Sequence, residues 1–377
     1  MTLTANQAQT LREEARAALA RRDGKSAVAA LEQLPDTPPL TLAQAHLMSG
    51  DLAGAEAAID RLLEVEPRQV WGLIIKGDCR MQAGDSRGAN AFLRAALDAG
   101  SKVAQPGADL RTALARVQER LAGLAARFEE DLRGCVEGTG EAPSARIAEA
   151  LDILTGRKQI YMQQPQSFYF PGLPQIQFYE REDFSWIPAM EARTAALREE
   201  LSGVLKDTDG GFRPYVESEP GRPAKQNAML GDPRWGAYYL WEGGEPVPDH
   251  AARCPETMAA LELAPIPVIE RRSPMALFSR LQPGMHIPPH SGFLNTRLIC
   301  HLPLIAPNGC ELRVGNEIRR WRESEMLVFD DSIEHEAWNR SDQTRVVLLF
   351  EIWRPELREA EREMFSRMFT YISTYSS

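Results

Sequence analysis

The chain has 377 residues, of which 44% are hydrophobic and 25% charged, a composition typical of a globular protein with two or three domains. Its formal net charge of −10 argues against nucleic acid or an anionic membrane surface as a partner, because both attract basic proteins. Without a membrane-length apolar run, a visible secretory leader or a disulfide-like cysteine pattern, the sequence predicts a cytoplasmic protein.

The first third of the chain is predicted to be helical and repetitive. Residues 1–120 are rich in Ala, Leu, Arg and Glu, which favour helix. Two Gly-Asp pairs, Gly50-Asp51 and Gly84-Asp85, stand 34 positions apart, and each precedes a similar apolar run. A 34-residue helix–turn–helix period resembles the tetratricopeptide repeat. We therefore predict a helical repeat domain over residues 1–135, with a shorter first copy near Asp23.

A long amphipathic helix is expected to follow the repeats. Its apolar stripe recurs in steps of four and three and consists of Leu110, Leu114, Val117, Leu121, Leu124, Phe128 and Leu132. We predict a helix that caps the last repeat, with a coiled-coil dimer as the alternative. Residues 136–160 are predicted as a linker with some helix, with a break within Gly134–Pro143. Such repeats usually bind a peptide or protein, although with so few of them a purely structural role stays open.

Residues 161–377 are predicted to form the second domain, which is rich in β-structure. Helices are expected at Trp186–Val204 and Leu357–Tyr371. Between them, turn dipeptides such as Asn308-Gly309 separate short strand-like runs. The predicted strands are Trp235–Trp241, Met275–Leu281, Thr296–Pro303, Cys310–Val314, Glu317–Trp321, Met326–Phe329, Glu334–Asn339 and Thr344–Trp353. Closely spaced antiparallel strands of this kind indicate a double-sheet jelly roll or barrel.

Four of the six histidines fall between residues 286 and 335. His290 ends the segment Pro283–His290, and His335 lies in the predicted strand Glu334–Asn339. If neighbouring strands of a small barrel bring the two imidazoles together, they could bind a divalent metal, since neutral imidazole suits Fe, Zn, Cu and Ni. Arg345 opens an apolar strand ten positions after His335, and a buried guanidinium needs an anion such as a dicarboxylate. A first His, a second His and an Arg about ten positions later is the arrangement expected for iron and 2-oxoglutarate. We predict structural roles for His286 and His250.

Several motifs around these residues resemble those of the aspartyl/asparaginyl β-hydroxylase family. The likeness covers roughly Gln166–Leu357, and the segments that carry it are Phe278–Gly292, Asn295–His301, Phe329–Glu336 and Trp353–Leu357. The resemblance implies a double-stranded β-helix and a hydroxylase that depends on Fe(II), 2-oxoglutarate and O₂. Animal members also carry tetratricopeptide-like repeats before the catalytic domain. The expected fold class is therefore α+β multidomain, with all-α repeats followed by a double-stranded β-helix.

The same resemblance implies roles at matching positions. His290 and His335 would hold Fe(II). Ser279 and Arg345 would bind the distal carboxylate of 2-oxoglutarate, and His301 would contact the co-substrate near its metal-bound end.

Three further positions are implied by the resemblance. Asp331 would hold a metal-bound water and so join the two histidines as a catalytic residue, although Asp330-Asp331 could also be a plain turn. Trp235 and Arg297 would lie on the substrate side of the site.

Gly292 distinguishes this chain from most 2-oxoglutarate oxygenases, which have His-x-Asp around the first histidine. Glycine cannot ligate through a side chain, so one metal position is left open. Animal aspartyl hydroxylases share this glycine, whereas halogenases use the same vacancy for chloride. The glycine favours the aspartyl hydroxylase branch and leaves halogenation open.

Two arginines expected from the family are missing. Animal aspartyl hydroxylases have a second arginine where this chain has Ile299, and another where it has Leu230. An aspartate side chain would lose its ion-pair partners in such a pocket, which would cost a few kcal/mol (~3–5). The residues expected to bind Fe(II) and 2-oxoglutarate are all present, and the substrate need not be aspartate.

The leading hypothesis is an oxygenase that hydroxylates a C–H bond of a peptide or protein side chain, docked by the repeats, without nucleic acid or membrane. One alternative is a hydroxylase or halogenase of a small amino acid or modified peptide. A second is a cupin-like metal isomerase or hydrolase that uses the same two histidines. A third is a non-catalytic repeat adaptor with a degenerate barrel.

Overall fold

The computed structural model describes residues 4–137, 144–207, 211–218 and 227–375. The chain divides into two compact units, residues 1–157 and 158–377. Part of the break predicted within Gly134–Pro143, residues 138–143, lies outside the described residues.

The N-terminal unit consists of helices in antiparallel pairs. An aspartate caps the second helix of each pair. The carboxylates of Asp23, Asp51 and Asp85 each accept a hydrogen bond from a backbone N–H in the first turn of that helix. Before two of these caps, Gly50 and Gly84 adopt left-handed φ angles of 79° and 78°, which glycine allows at low cost. The described helices are α1 Ala5–Ala20, α2 Gly24–Leu31, α3 Pro39–Ser49, α4 Leu52–Val65, α5 Val70–Gln82, α6 Ser86–Ser101, α7 Ala108–Glu137 and α8 Ala145–Leu154.

Small side chains allow the paired helices to approach closely. The alanine four positions after each capping aspartate has no exposed surface; these residues are Ala27, Ala55 and Ala89. Helix α7 then packs its first half against α5 and α6, with Val117 buried beside Leu93. The repeat fold is therefore confirmed, with the shorter first copy and with α7 covering the last pair.

The C-terminal unit is built on two antiparallel sheets. The larger has eight strands in the order β1-β10-β7-β12-β5-β3-β2, with β4 paired to β3, and the smaller has the order β6-β11-β8-β9. The strands are β1 Phe178–Tyr179, β2 Arg213–Pro214, β3 Trp235–Glu242, β4 Glu245–Pro246, β5 Ala276–Leu281, β6 His286–His290, β7 Arg297–Ile305, β8 Cys310–Val314, β9 Glu317–Arg320, β10 Leu327–Phe329, β11 His335–Asn339 and β12 Arg345–Trp353. This is a double-sheet jelly roll, and the predicted fold class is confirmed.

Two elements differ from the sequence-based prediction. The segment that ends at His290 forms a strand, β6, although it contains Pro288 and Pro289. Proline is tolerated because β6 is an edge strand and its pairing with β11 shifts register there, as at a β-bulge. The single helix predicted over Trp186–Val204 is wrong, since the chain forms α9 Ile187–Glu191 and α10 Thr194–Leu205.

Short helices cover the outer face of the larger sheet, and the two inner faces enclose the core. Besides α9 and α10, the unit contains α11 Pro248–Arg253, α12 Pro255–Leu261 and α13 Glu359–Tyr375. Strand β12 is buried at every position. Its side chains alternate, with Leu348 among the outer cluster and Leu349 in the core between the sheets. No helix in the described ranges combines the length and apolarity needed to cross a membrane.

Candidate active site

The two predicted metal ligands are neighbours on paired strands of the smaller sheet. His335 opens β11 directly opposite His290, the last residue of β6, and their ring centroids are 4.1 Å apart. The register shift in β6 falls just before His290, so the irregular pairing that admits Pro288 and Pro289 also positions this histidine. Both imidazoles lie where the inner faces of the two sheets meet.

Backbone carbonyls fix the orientation of both rings. The His290 Nδ1–H donates to the Pro288 carbonyl oxygen at 2.8 Å, and the His335 Nδ1–H donates to that of Ile333 at 3.1 Å. With Nδ1 protonated in each ring, Nε2 carries the free lone pair that a metal would take. Burial lowers the pKa of His290, and burial together with the neighbouring His290 lowers the pKa of His335 to about 3. Both rings are therefore neutral at pH 7, as metal ligands must be.

These two histidines are not part of a larger protein ligand set. Within the described residues, no group of three His, Cys, Asp or Glu side chains is arranged to hold a metal ion. Gly292 stands where the resemblance places the carboxylate ligand of most 2-oxoglutarate oxygenases. A Cβ atom at Gly292 would overlap the carboxylate of Asp331, which comes from the turn before β11.

Asp330 and Asp331, which are adjacent in that turn, make different contacts. Asp330 is fully buried and pairs with Arg354, whose Nη1 lies 2.7 Å from its carboxylate, and it also accepts a hydrogen bond from Gln163 at 2.6 Å. Asp331 instead lies against Gly292, and burial and the charge of Asp330 raise the pKa of Asp331 to about 8. Asp330 therefore holds the loop, and Asp331 borders the histidine pair.

The three predicted co-substrate residues converge on the inner face of the larger sheet. Arg345 is 1% exposed, and its Nη1 donates to the Ser279 carbonyl oxygen at 3.2 Å and lies 3.5 Å from the Ser279 hydroxyl. Burial lowers the pKa of Arg345 to about 10. His301 lies two strands away from Ser279, with its ring centroid 5.8 Å from that of Trp321.

Several buried nitrogen atoms around Arg345 have no hydrogen-bond partner in the described part of the chain. No carboxylate in the described part of the chain pairs with Arg345, and its guanidinium lies 4.5 Å from the centre of the Trp321 ring instead. The buried nitrogens Arg345 Nε, Trp321 Nε1 and His301 Nδ1 have no hydrogen-bond partner among the described residues. Buried polar atoms are almost always paired, so this cluster is suited to an anionic ligand rich in oxygen atoms.

On the expected substrate side, Trp235 is held by its neighbours. Its indole N–H donates to the Ser279 hydroxyl at 3.3 Å, and its ring stacks on Tyr215 at 4.2 Å. The ring centroid is 6.3 Å from that of His290. Trp235 thus lies between Ser279 and His290.

The arginine predicted to contact substrate is already paired. Arg297 forms an ion pair with Glu351, a buried residue of β12, and the other Glu351 carboxylate oxygen accepts a hydrogen bond from Ser273. Glu351 stands directly across from Ile299, the position of one missing arginine. A carboxylate thus occupies the region where the resemblance implied a cationic pocket.

Three residues of the cavity were missed from the sequence, namely Trp321, Tyr215 and Glu351. Glu351 gives a detectable signal, since a lone acid within the apolar run of β12 requires a partner. Trp321 and Tyr215 give none, because each resembles an ordinary core aromatic until its neighbours are known. His286 and His250 lie elsewhere: His286 bonds to Glu336 and is half-exposed, and His250 stacks on Tyr238.

Several known proteins are similar in sequence to this unit. Residues 191–355 match the model of the family described as aspartyl/asparaginyl beta-hydroxylase. Human aspartyl/asparaginyl beta-hydroxylase is 33% identical over 177 residues, which are 47% of this chain and 22% of that protein. Human aspartate beta-hydroxylase domain-containing protein 2 is 30% identical over 211 residues, or 55% of each chain.

A third relative is named for a lipid reaction. The ornithine lipid ester-linked acyl 2-hydroxylase of Rhizobium tropici is 34% identical over 186 residues, 47% of this chain and 60% of that protein. The matched segment thus spans less than two thirds of each of these three relatives. Through residues 191–355, the chain is thus similar to the aspartyl/asparaginyl β-hydroxylase family.

Proposed function

We propose that the C-terminal unit is a hydroxylase that depends on Fe(II) and 2-oxoglutarate and acts on a peptide or protein side chain other than aspartate. The observation that carries the proposal is the pairing of two features in one cavity. One is the neutral histidine pair, His290 and His335, with both Nε2 atoms free. The other is Arg345, which is buried and has no counter-ion among the described residues.

The residues fit the groups that they would hold. Two neutral imidazoles suit Fe(II) and leave the remaining positions for water, co-substrate and O₂. The Arg345 fork and the Ser279 hydroxyl suit the distal carboxylate of 2-oxoglutarate, and His301 suits its metal-bound end. When bound, iron, 2-oxoglutarate and O₂ supply one oxygen atom for a C–H bond, with succinate and CO₂ as the other products.

The chain's own residues bind and orient. Ser279 connects the co-substrate pocket to Trp235, since it contacts Arg345 and accepts the indole N–H. A shift of the co-substrate would therefore be transmitted to the wall of the substrate side. Buried aromatic rings line the pocket, among them Phe329, which packs on both His301 and His335, and they keep bulk water away from the reacting atoms.

The ion pair of Arg297 with Glu351 supports a substrate other than aspartate. A substrate carboxylate would have to displace Glu351 from Arg297 and would meet its charge, and Ile299 and Leu230 offer no replacement cation. An uncharged side chain avoids both costs. The helical repeats are the proposed docking surface for the protein that carries it.

The space beside Gly292 supports hydroxylation over halogenation. Chloride would need the coordination position that the glycine leaves open, and the Asp331 carboxylate already fills the space next to it. A chloride ion and this carboxyl group could not occupy the same space, whichever protonation state Asp331 has. A bound water that donates a hydrogen bond to Asp331 suits this position better.

The experiment is a turnover assay on purified protein supplied with Fe(II), 2-oxoglutarate and O₂. We expect slow succinate formation without substrate, lost in His335→Ala. In cells, peptides that gain one oxygen atom with the wild-type protein but not with His335→Ala would identify the substrate. Absence of both succinate formation and metal-dependent 2-oxoglutarate binding would contradict the proposal.

A further inference from the structure

The indole N–H of Trp321 is buried and is not hydrogen-bonded to any described residue. The residue follows β9, is 3% exposed and packs in the core between the two sheets. Its backbone N–H donates to the Cys310 carbonyl oxygen. Its indole N–H has no acceptor among the described residues. Buried tryptophans usually find a partner for this group, and leaving it unpaired is destabilising.

The same cavity contains a tryptophan whose donor is satisfied. The indole N–H of Trp235 donates to the Ser279 hydroxyl. That bond orients Trp235 and makes its N–H unavailable to a ligand. The two indoles therefore differ in chemistry although both border the co-substrate pocket: Trp235 is already committed, and Trp321 is free to donate.

The neighbours of Trp321 indicate what it would donate to. Its ring face is covered by the Arg345 guanidinium at 4.5 Å, and its ring centroid lies 5.8 Å from that of His301. Each of these residues also has one buried nitrogen without a partner. Arg345 Nε and Trp321 Nε1 are both N–H donors, so a single ligand with several oxygen atoms could satisfy both. A carboxylate has about four lone-pair sites, and Arg345 and Ser279 together do not fill all of them.

We propose that the Trp321 indole N–H donates a hydrogen bond to the carboxylate of 2-oxoglutarate that pairs with Arg345. This inference rests on the proposed function, because it takes 2-oxoglutarate as the occupant of the pocket. It assigns Trp321 two tasks, namely to hold the Arg345 guanidinium against its ring face and to bind the co-substrate directly through Nε1.

Trp321→Phe separates the two tasks, because phenylalanine keeps an aromatic face for Arg345 and deletes the N–H. The matched control is Trp338→Phe, whose ring lies on the smaller sheet, stacked on His286 rather than on Arg345. Calorimetric titration of the Zn(II)-loaded proteins with 2-oxoglutarate measures affinity without turnover. We expect binding to weaken roughly 10- to 100-fold in Trp321→Phe, as for loss of a hydrogen bond to a charged group, and to be unchanged in Trp338→Phe.

A second readout uses the wild-type protein and does not depend on how a variant folds. With ¹⁵N-labelled tryptophan, the seven tryptophans give indole N–H resonances in the Zn(II)-loaded protein. Addition of 2-oxoglutarate should move one resonance strongly downfield, and that resonance should be the one missing from Trp321→Phe. A merely structural role for Trp321 would not produce this shift.

The outcomes separate the inference from the proposed function. If the wild-type protein binds 2-oxoglutarate, and Trp321→Phe binds it equally well while no indole resonance moves, the inference is overturned and the proposed function stands. If the wild-type protein does not bind 2-oxoglutarate in the presence of metal, both are overturned.

Discussion

Gly292 and Asp331 occupy one volume beside the histidine pair. A Cβ atom on Gly292 would overlap the Asp331 carboxylate, and the Gly292 N–H donates to the Asp331 carbonyl oxygen at 2.6 Å. Where most 2-oxoglutarate oxygenases carry a carboxylate two residues after the first histidine, this chain has a carboxyl group from the loop before the second histidine. Position 292 accepts only glycine while Asp331 keeps this place.

Gly292→Asp should therefore not restore a three-ligand site. Two carboxylates would compete for one space, so we expect a loss of about 1–3 kcal/mol in the free energy of unfolding, as in other overpacked sites, together with weaker Zn(II) binding. The double variant Gly292→Asp/Asp331→Gly removes the overlap and should recover most of both losses. Denaturant unfolding and metal titration measure them. A single variant as stable and as tight in metal binding as wild type would show that the space is not shared.

The histidines should separate into ligands and bystanders. Either His290→Ala or His335→Ala should weaken Zn(II) binding by about 100-fold or more, since loss of partners outside a metal's ligand shell alone costs 10- to 100-fold. His286→Ala is the matched control, because His286 bonds to Glu336 and its side chain is 44% exposed. Metal titration by calorimetry checks all three. Equal effects for His286→Ala and His335→Ala would contradict the assignment.

Arg345→Met should lose the ligand without losing the fold. Methionine removes a buried charge that has no carboxylate partner in the described chain, so stability without ligand should be unchanged or higher. Stabilisation by 2-oxoglutarate, about 2.7 kcal/mol at a concentration of 100 Kd, should disappear.

The contrast for Arg345→Met is Arg297→Met. That change leaves Glu351 buried and unpaired and should destabilise the unit by about 3–5 kcal/mol. Thermal unfolding with and without 2-oxoglutarate measures both variants. If both arginine variants lost the same stability without ligand, Arg345 would have a structural partner and the pocket would not be built for an anion.

The two aspartates before β11 should respond differently to truncation. Asp330→Ala leaves Arg354 buried without its carboxylate and should cost about 3–5 kcal/mol. Asp331→Ala removes no ion pair among the described residues, and the side chain that it shortens lies beside a glycine, so its effect on stability should be within about 1 kcal/mol. Denaturant unfolding of the two variants side by side tests this, and a reversed order would refute it.

Much of the fold could be predicted from the sequence because local signals agree with tertiary packing. The aspartates that recur before small-residue helices, such as Asp51 and Asp85, cap those helices, and so the repeat was visible. Strand β8 was predicted at its observed bounds, Cys310–Val314, because hairpin dipeptides flank it. Strand β6 was missed because its two prolines oppose strand formation except at an edge.

The site could be predicted only where spacing carries information. His290, His335 and Arg345 are 45 and 10 positions apart. The structure pairs the two histidines directly and places His335 and Arg345 close enough to His301 that both influence its pKa. The pairing of Arg297 with Glu351 joins residues 54 positions apart, and no local pattern announces it. The free indole N–H of Trp321 depends on which acceptors are absent around it, which only the three-dimensional structure reveals.

The most direct test of the central claim is anaerobic titration of the Fe(II)-loaded protein with 2-oxoglutarate, followed by visible absorption. Chelation of the metal by the keto acid produces a charge-transfer band. We expect this band to appear with the wild-type protein, to saturate at one co-substrate per chain, and to be lost in both His335→Ala and Arg345→Met. A wild-type protein that retains iron but gives no band, or a band that persists in His335→Ala, would contradict it.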